Sequence, residues 1–381
     1  MSMVLRDKLV GWFIRNVILP KTAIIDKPGF VVAQFSKESE ILYLRQICLP
    51  EMLFSNIEIE LINEANKRGE ELLYQTGKKF GYIYASISQF PTRSFKIKDF
   101  VRFAHILVKH IECVWAKRIT HNINIKVPIF IMRMKEYIIC RKNGAGHLLS
   151  TGGVAGIWAY ACEDQSIEAI QIKCQGRGDK ECEVIAAPYK TLVRMGYKPI
   201  RCRKLEKAEL SREYKIFNEI RPTSWARNSL KSLIDAGFFD YKHGQVTYHR
   251  ERFFLCEASF MYILEKELKK IKNGLKILWD CSFDFGKRLA EISGKQEPCK
   301  FIMDFFPALG FGDILASRKE GRYEIFVKYF PWLEWYKDID FTMFRGMLSG
   351  IISGFTDRDV KLKKIVKDIR GRDFILYLTE K

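Results

Sequence analysis

The sequence predicts an α+β fold built twice, as two homologous domains, each an antiparallel sheet with helices packed on it. Three observations support this. Related blocks recur in the same order about 200 residues apart. Each half passes from apolar residues at helical spacing into runs rich in β-branched and aromatic residues. Each half then closes on two strand-like segments around a tight turn. The predicted boundaries are 1–192 for the first domain, 193–240 for a basic connecting segment and 241–381 for a second, degenerate domain.

The opening helix of the first half is marked by Ile57, Leu61, Ile62, Ala65, Leu72, Leu73, Phe80 and Ile83. Its copy uses Phe260, Ile263, Leu264, Leu268, Ile271, Leu275, Leu278 and Phe285. Residues 68–88 align on 273–293 with Gly69 on Gly274 and Gly81 on Gly286. A glycine inside a helix costs about 1 kcal/mol against alanine, so the shared Gly69 and Gly274 predict close packing of another element. A second helix follows in the first half, capped by Asp99, with Phe103, Leu107, Ile111 and Val114 on one face. Strands are predicted within 126–142 and 322–337. Next comes a helix bearing glycines, and residues 153–179 resemble 345–371. Gly346, Gly350 and Gly354 recur every four residues and fit either internal helix packing or a contact between domains or subunits. The closing turns fall at Gly176–Asp179 and Arg370–Arg372.

Composition narrows the class. An apolar fraction of 48% over 381 residues excludes a disordered chain. The formal net charge of +19 points to polyanionic partners. The ten cysteines are thinly spread, which fits reduced thiols and a cytoplasmic location. Arg6, Asp7, Lys8 and Arg15 break the N-terminal pattern expected of a secretory signal. The amphipathic residues 4–21 fit packing on protein better than binding to a membrane. The longest uncharged stretch, 143–162, contains five glycines and reads as a loop and short helix.

Catalytic patterns do not appear. GAGHLLSTGG lacks both the dinucleotide spacing and the Gly-Lys-Ser/Thr of a phosphate loop. There is no G-x-S-x-G elbow and no H-E-x-x-H helix. The expectation is therefore a binding protein and not an enzyme. Cys174 and Cys182 bracket the first closing turn, and a hairpin there can bring two thiolates onto one tetrahedral ion. Two free buried thiols or a strained disulfide are the other outcomes at this spacing.

The ending IEAIQIKCQGRGDKECEVIAAP (167–188), with GEELLYQTGKKFG (69–81) and the glycines of 152–156, resembles the 4-vinyl reductase domain family. The resemblance covers most of 56–188 and reaches 257–378 only through the internal repeat, where the cysteines are gone. It implies the α+β fold shared with subunits of the transport protein particle, dimerisation through helices, and kinship with uncharacterised archaeal proteins and sensor domains for aromatic compounds. In the sensor members a zinc is held by both cysteines, an acidic residue upstream and an earlier cysteine. Here Gln171 stands at the acidic position, and His147 and Leu148 stand near the earlier cysteine. The implied metal ligands are thus Cys174, Cys182 and His147, with Cys140 or Cys162 as further candidates, and a structural zinc is the implied cofactor.

Charge suggests a partner. The connecting segment contains Arg194, Lys198, Arg201, Arg203, Lys204, Arg212, Arg221 and Arg227, interleaved with aromatic residues. Arg133, Arg141 and Lys142 form a second cluster, and Lys363, Lys364, Arg370 and Arg372 a third. Cations that neutralise phosphates beside rings that stack on unpaired bases suit structured RNA. The leading expectation is a homodimeric scaffold docked on ribosomal RNA or a ribosomal subunit, regulating translation or subunit association. The alternative is a sensor of a small hydrophobic or aromatic ligand, with Trp158, Tyr160, Trp279 and Phe283 as candidate cavity walls and a separate partner for output.

Overall fold

The computed structural model describes residues 24–37, 40–88, 90, 92, 104, 108, 111, 112, 115–124, 127–140, 142–202, 205, 221–242, 245–369 and 373–380. Each half opens with strands, which the helix-first reading of the sequence missed. β1 (Ile24–Lys27), β2 (Phe30–Lys37) and β3 (Glu40–Pro50) open the first unit. β8 (Asp240–Lys242), β9 (Gln245–Tyr248) and β10 (Glu251–Glu257) open the second. They join in one six-stranded sheet of order β1-β2-β3-β10-β9-β8. β3 and β10 pair antiparallel, with Phe253 opposite Pro50 and Glu257 opposite Gln46. Each unit thereby covers the other's open strand edge.

Side chains lock this seam. The Arg45 guanidinium donates to Gly29 O at 2.7 Å and Gly310 O at 2.8 Å, and lies 4.1 Å from the Phe30 ring centre. Burial lowers its pKa to about 9, which leaves it charged near neutrality. Arg252 of β10 donates to the Glu51 carboxylate at 2.6 Å, a buried pair joining the second unit to the first. The end of the connecting segment belongs to the same body. The Asp313 carboxylate accepts the N–H groups of Ser224, Trp225 and Ala226 at 2.8, 2.9 and 2.6 Å. Asp26 accepts those of Leu230 and Lys231 at the start of α4 (Leu230–Asp235).

The long helix α1 (Glu51–Ile87) follows β3 and is interrupted at Asn66, where φ is 48°. Its counterpart is divided outright into α5 (Ser259–Leu268) and α6 (Gly274–Ser293). Gly69 and Gly274 therefore sit just past a break, not in mid-helix. A Cβ at these positions would lie 2.4 Å from Leu61 O and 2.1 Å from Leu268 O, so only glycine lets the chain bend so tightly.

α2 (His147–Ala161) crosses α1, and α8 (Thr342–Thr356) crosses α6. The crossings are atomically alike. A Cβ on Gly81 would meet Gly153 O at 2.1 Å, and one on Gly286 would meet Met347 O at 2.2 Å. A Cβ on Gly156 would meet Lys78 O at 2.1 Å, and one on Gly350 would meet Phe283 O at 2.0 Å. The offset is 286 − 81 = 205 in the first helix and 350 − 156 = 194 in the second. The sequence match of 153–179 with 345–371 was thus two residues out of register. Gly346, Gly350 and Gly354 all pack on α6 of their own unit.

Helix N-termini are capped alike too. The buried Glu58 carboxylate accepts Leu148 N–H at 2.9 Å, and buried Glu265 accepts Thr342 N–H at 2.9 Å. Each unit ends in a four-stranded antiparallel sheet. The first has order β4-β5-β7-β6, from β4 (Arg118–Asn124), β5 (Ile129–Lys135), β6 (Ile167–Lys173) and β7 (Cys182–Pro188). The second repeats the order with β11 (Asp313–Lys319), β12 (Arg322–Lys328), β13 (Leu362–Ile369) and β14 (Asp373–Glu380). Two further helices are α3 (Tyr189–Arg194) after β7 and α7 (Pro298–Ala308) before β11. Of the predicted second helix, Asp99, Phe103, Leu107 and Val114 lie outside the described residues, as does the Arg370–Arg372 turn. Among the described residues no helix is long and apolar enough to cross a membrane.

Candidate metal centre and polar core of the first unit

Three thiols meet beneath the β6–β7 hairpin. Cys140 ends the turn after β5, Cys174 follows β6 and Cys182 opens β7. Their sulfurs lie within 4.8 Å of one another and all three residues are buried. The loop is built to hold them. The Asp179 carboxylate accepts Cys174 N–H at 2.8 Å. Gly176 presses on the Cys140 carbonyl, where a Cβ would lie at 2.1 Å. The Gln175 N–H donates to Cys182 Sγ at 3.4 Å, and Gln171 Nε2 to Cys140 Sγ at 3.5 Å. Hydrogen bonds from Cys140 and Cys182 favour the thiolate on Cys174 and hold its pKa well below the usual thiol range. The reciprocal bond to Cys174 holds the Cys140 thiol above that range.

The donor set fits zinc. A tetrahedral ion with Zn–S bonds of about 2.3 Å separates its sulfurs by roughly 3.8 Å. Cys140 Sγ and Cys182 Sγ are 3.7 Å apart. The implied ligand His147 is not in this group. It opens α2, and its Nδ1 stands 2.9 Å from Glu58 Oε1. Cys140, only a further candidate in the sequence, takes the third position because the chain turns inward after β5. At the last inward position of β5, Met134 faces Cys182 across the sheet. At the matching position of β12, Val327 faces Leu376, so the second unit has an aliphatic residue there.

A second polar group lies under the α1–α2 crossing, and the sequence reading missed it. Lys78 Nζ is 2.8 Å from Glu168 Oε1, with side-chain exposures of 1% and 2%. The Tyr74 hydroxyl donates to Glu168 Oε2 at 3.0 Å and accepts Ala169 N–H at 2.7 Å. Burial raises the Glu168 pKa, against the pull of Lys78, Cys202 N–H and Tyr74. The chain leaving α3 closes over this group. Cys202 N–H donates to Glu168 Oε1 at 2.9 Å, and Gln165 Nε2 donates to Leu205 O at 2.7 Å. The signal was Tyr74, Lys78 and Tyr82 at four-residue spacing on an otherwise apolar helix face.

The predicted phosphate-binding cations divide into three sets. Arg203, Lys204, Arg212, Arg141, Arg370 and Arg372 lie outside the described residues. Arg133 pairs with Glu183 at 2.8 Å, and Lys142 stands 3.8 Å from Glu251. Lys364 pairs with Asp340 at 3.1 Å and donates to Tyr336 O and Ile339 O. Arg201 lies over the Tyr189 ring, and Arg221 over that of Tyr329. Arg194, Lys198, Arg227 and Lys363 are exposed and have no acidic partner among the described residues. The clusters sit on different sheets, Arg133 on β5 and Lys363 and Lys364 on β13.

Three of the four candidate cavity walls pack on neighbours, and Phe283 is half-buried. Trp158 stacks on Phe130 with centroids 3.9 Å apart, and Tyr160 meets Tyr82 edge-on at 5.5 Å. Arg345 lies over Trp279 at 5.2 Å.

No family model matches the chain, and no curated protein matches it. Among solved structures, it is similar to the crystal structure of the phenol-responsive sensory domain of the transcription activator PoxR with phenol. Identity is 17%, the match covers 50% of this chain and 92% of that one, and the TM-score is 0.33. A TM-score of that size leaves the function of this chain to its own residues.

Proposed function

We propose that the chain is a non-enzymatic, metal-responsive sensor unit fused to a structural copy of itself, acting through a separate partner. The observation behind this is the buried trio Cys140, Cys174 and Cys182, present in the first unit at the joint of three segments. Zinc, when bound, supplies a cross-link among the β5 turn, the end of β6 and the start of β7. The protein's own part is to orient the donors. Asp179 fixes the turn, while Gln171 and Gln175 direct N–H groups at two of the sulfurs.

The sensed species is a metal ion in this reading, in preference to an aromatic ligand, because Trp158, Tyr160 and Trp279 already pack against protein. The second unit serves as a built-in dimer partner, since β3 and β10 already satisfy one another's edges. Docking on ribosomal RNA, the leading expectation from sequence, rests on charge alone, and five of its nine described cations are engaged within the fold.

Metal analysis of the purified full chain tests the proposal. One zinc per chain is expected, lost in Cys140→Ser, Cys174→Ser and Cys182→Ser and retained in His147→Ala. Failure to take up zinc, or zinc retained in the serine variants, would overturn it. Capture of one partner from the native cell by only one of the two metal states completes the test.

A further inference from the structure

The first C-terminal sheet has an apolar outer face. Ile185, Ala187 and Leu192 form a small core there with Ile129, Ile131, Ile170, Ile172 and Tyr197. α3 lies over this face with Leu192 turned inward. The same segment presents Val193 and Met195 outward, exposed to 47% and 43%. Val127, exposed to 47%, belongs to the same end of the sheet. The pairing of Phe130 with Ala186 sets the turn before β5 beside Pro188 and Tyr189.

Cations accompany Val193 and Met195 along the segment. Lys190, Arg194 and Lys198 are exposed, and among the described residues no acid pairs with them. Glu163 and Asp164 lie in the turn before β6, with Asp164 accepting Ser166 N–H, so the balance stays positive. Arg133 and Lys173, toward the other end of the sheet, are both paired with Glu183. The outer face of the second sheet has Phe326 stacked on Tyr377, whose hydroxyl donates to Glu324, and among the described residues a single exposed aliphatic residue, Ile365 at 42%, opposite Tyr377.

We propose that Val127, Val193 and Met195, with Lys190, Arg194 and Lys198, form a docking face for an anionic lipid surface. A bilayer interface takes both halves of such a patch, aliphatic side chains into the acyl boundary and cations onto headgroup phosphates. RNA uses the cations but leaves the aliphatic side chains in water. The rings that would stack on bases are engaged, Tyr189 under Arg201 and Tyr197 in the small core. The net charge of +19 adds long-range attraction to the same surface.

The test is co-sedimentation of the full chain with phosphatidylcholine vesicles, plain or with one quarter phosphatidylglycerol. RNA binding to a mixed-sequence single strand and to a hairpin is measured in parallel. Binding is expected to the anionic vesicles alone. It should weaken roughly tenfold or more in Val193→Ser/Met195→Ser and again in Arg194→Glu/Lys198→Glu. All four side chains are exposed, and an unchanged thermal melt reports intact folding. The proposal is overturned if the wild type ignores anionic vesicles, or if both double variants bind them as the wild type does. It is equally overturned if RNA alone is bound and the charge reversal abolishes that binding.

Discussion

The two units share a helix crossing and differ in what lies against it. In both, glycines let one helix backbone touch the other, at Gly81 and Gly156 in the first unit and at Gly286 and Gly350 in the second. Some side chains beside those contacts are shared, as Phe80 and Phe285 are, and others differ in kind. Adding the offset of 205 places Tyr74 and Lys78 on Trp279 and Phe283. The first pair is buried with Glu168, beside Cys202 and Leu205, while the second pair is only half-buried. A crossing fixed by backbone contact leaves the neighbouring positions free to change chemistry. One unit could keep a polar core and a thiol cluster while the other became a packing module.

The largest effect should come from breaking the polar core. Lys78→Met leaves Glu168 buried without its cation, which costs about 3–5 kcal/mol. Phe283→Ala at the equivalent position removes a half-buried ring and should cost nearer 2 kcal/mol. Urea unfolding of the full chain measures both. Equal losses would dissolve the contrast between the units. Lys78→Met/Glu168→Leu sharpens it, since replacing both partners should recover much of the loss.

A smaller and matched effect is expected at the crossings. Gly81→Ala and Gly286→Ala each set a methyl against a backbone carbonyl, at 2.1 and 2.2 Å before relaxation. Overpacking of this kind costs about 1–3 kcal/mol. The two variants should cost similar amounts, and the double variant should cost their sum to within about 0.5 kcal/mol, as distant independent sites do. A large disparity in unfolding midpoints would show that the equivalence is geometric only.

The repeat, the α+β class and the closing hairpin were legible because they rest on local signals: helical spacing, β-branched runs and the Gly176–Asp179 turn. The strands β1–β3 and β8–β10 were not. Their two local hairpin sets are joined into one sheet only by the β3–β10 pairing across some 200 residues, which no local period announces. At the metal centre, Cys174 and Cys182 were visible as a bracketed turn, but Cys140 depends on where the chain turns after β5. His147 was misread because its place at the head of α2 pairs it with Glu58, a residue nearly ninety positions earlier. The pairing of charges was hidden for a related reason. Arg133, Lys142 and Lys364 look unmatched in sequence because their acids come from other strands and loops.

The smallest effect lies in the second unit, where two neighbouring carboxyls oppose one another with pH. Burial raises the Glu265 pKa, against the N–H groups of Asp340 and Thr342 that bind its charged form. Its folded value stands above its unfolded one, so the fold prefers the protonated acid. That contribution is present below about pH 4 and fades as pH rises through the folded value. Asp340 is the reverse. Burial pushes it up, but Lys364, Lys269 and Arg345 hold the net value below the ordinary range. Its contribution is present above the unfolded value and is lost as pH falls through the folded one. Glu265→Gln should therefore remove a decline of stability that sets in as pH rises from about 4 through the raised folded value, so the wild type loses more than the variant over that rise. Lys364→Met should instead remove much of the Asp340 contribution above the unfolded value, lowering stability at pH 5 and 7 and flattening the loss below about pH 4. Unfolding midpoints at pH 3, 5 and 7 check both signs. A parallel shift of the whole curve in both variants would mean that capping and packing at α8, not charge, set the cost in the second unit.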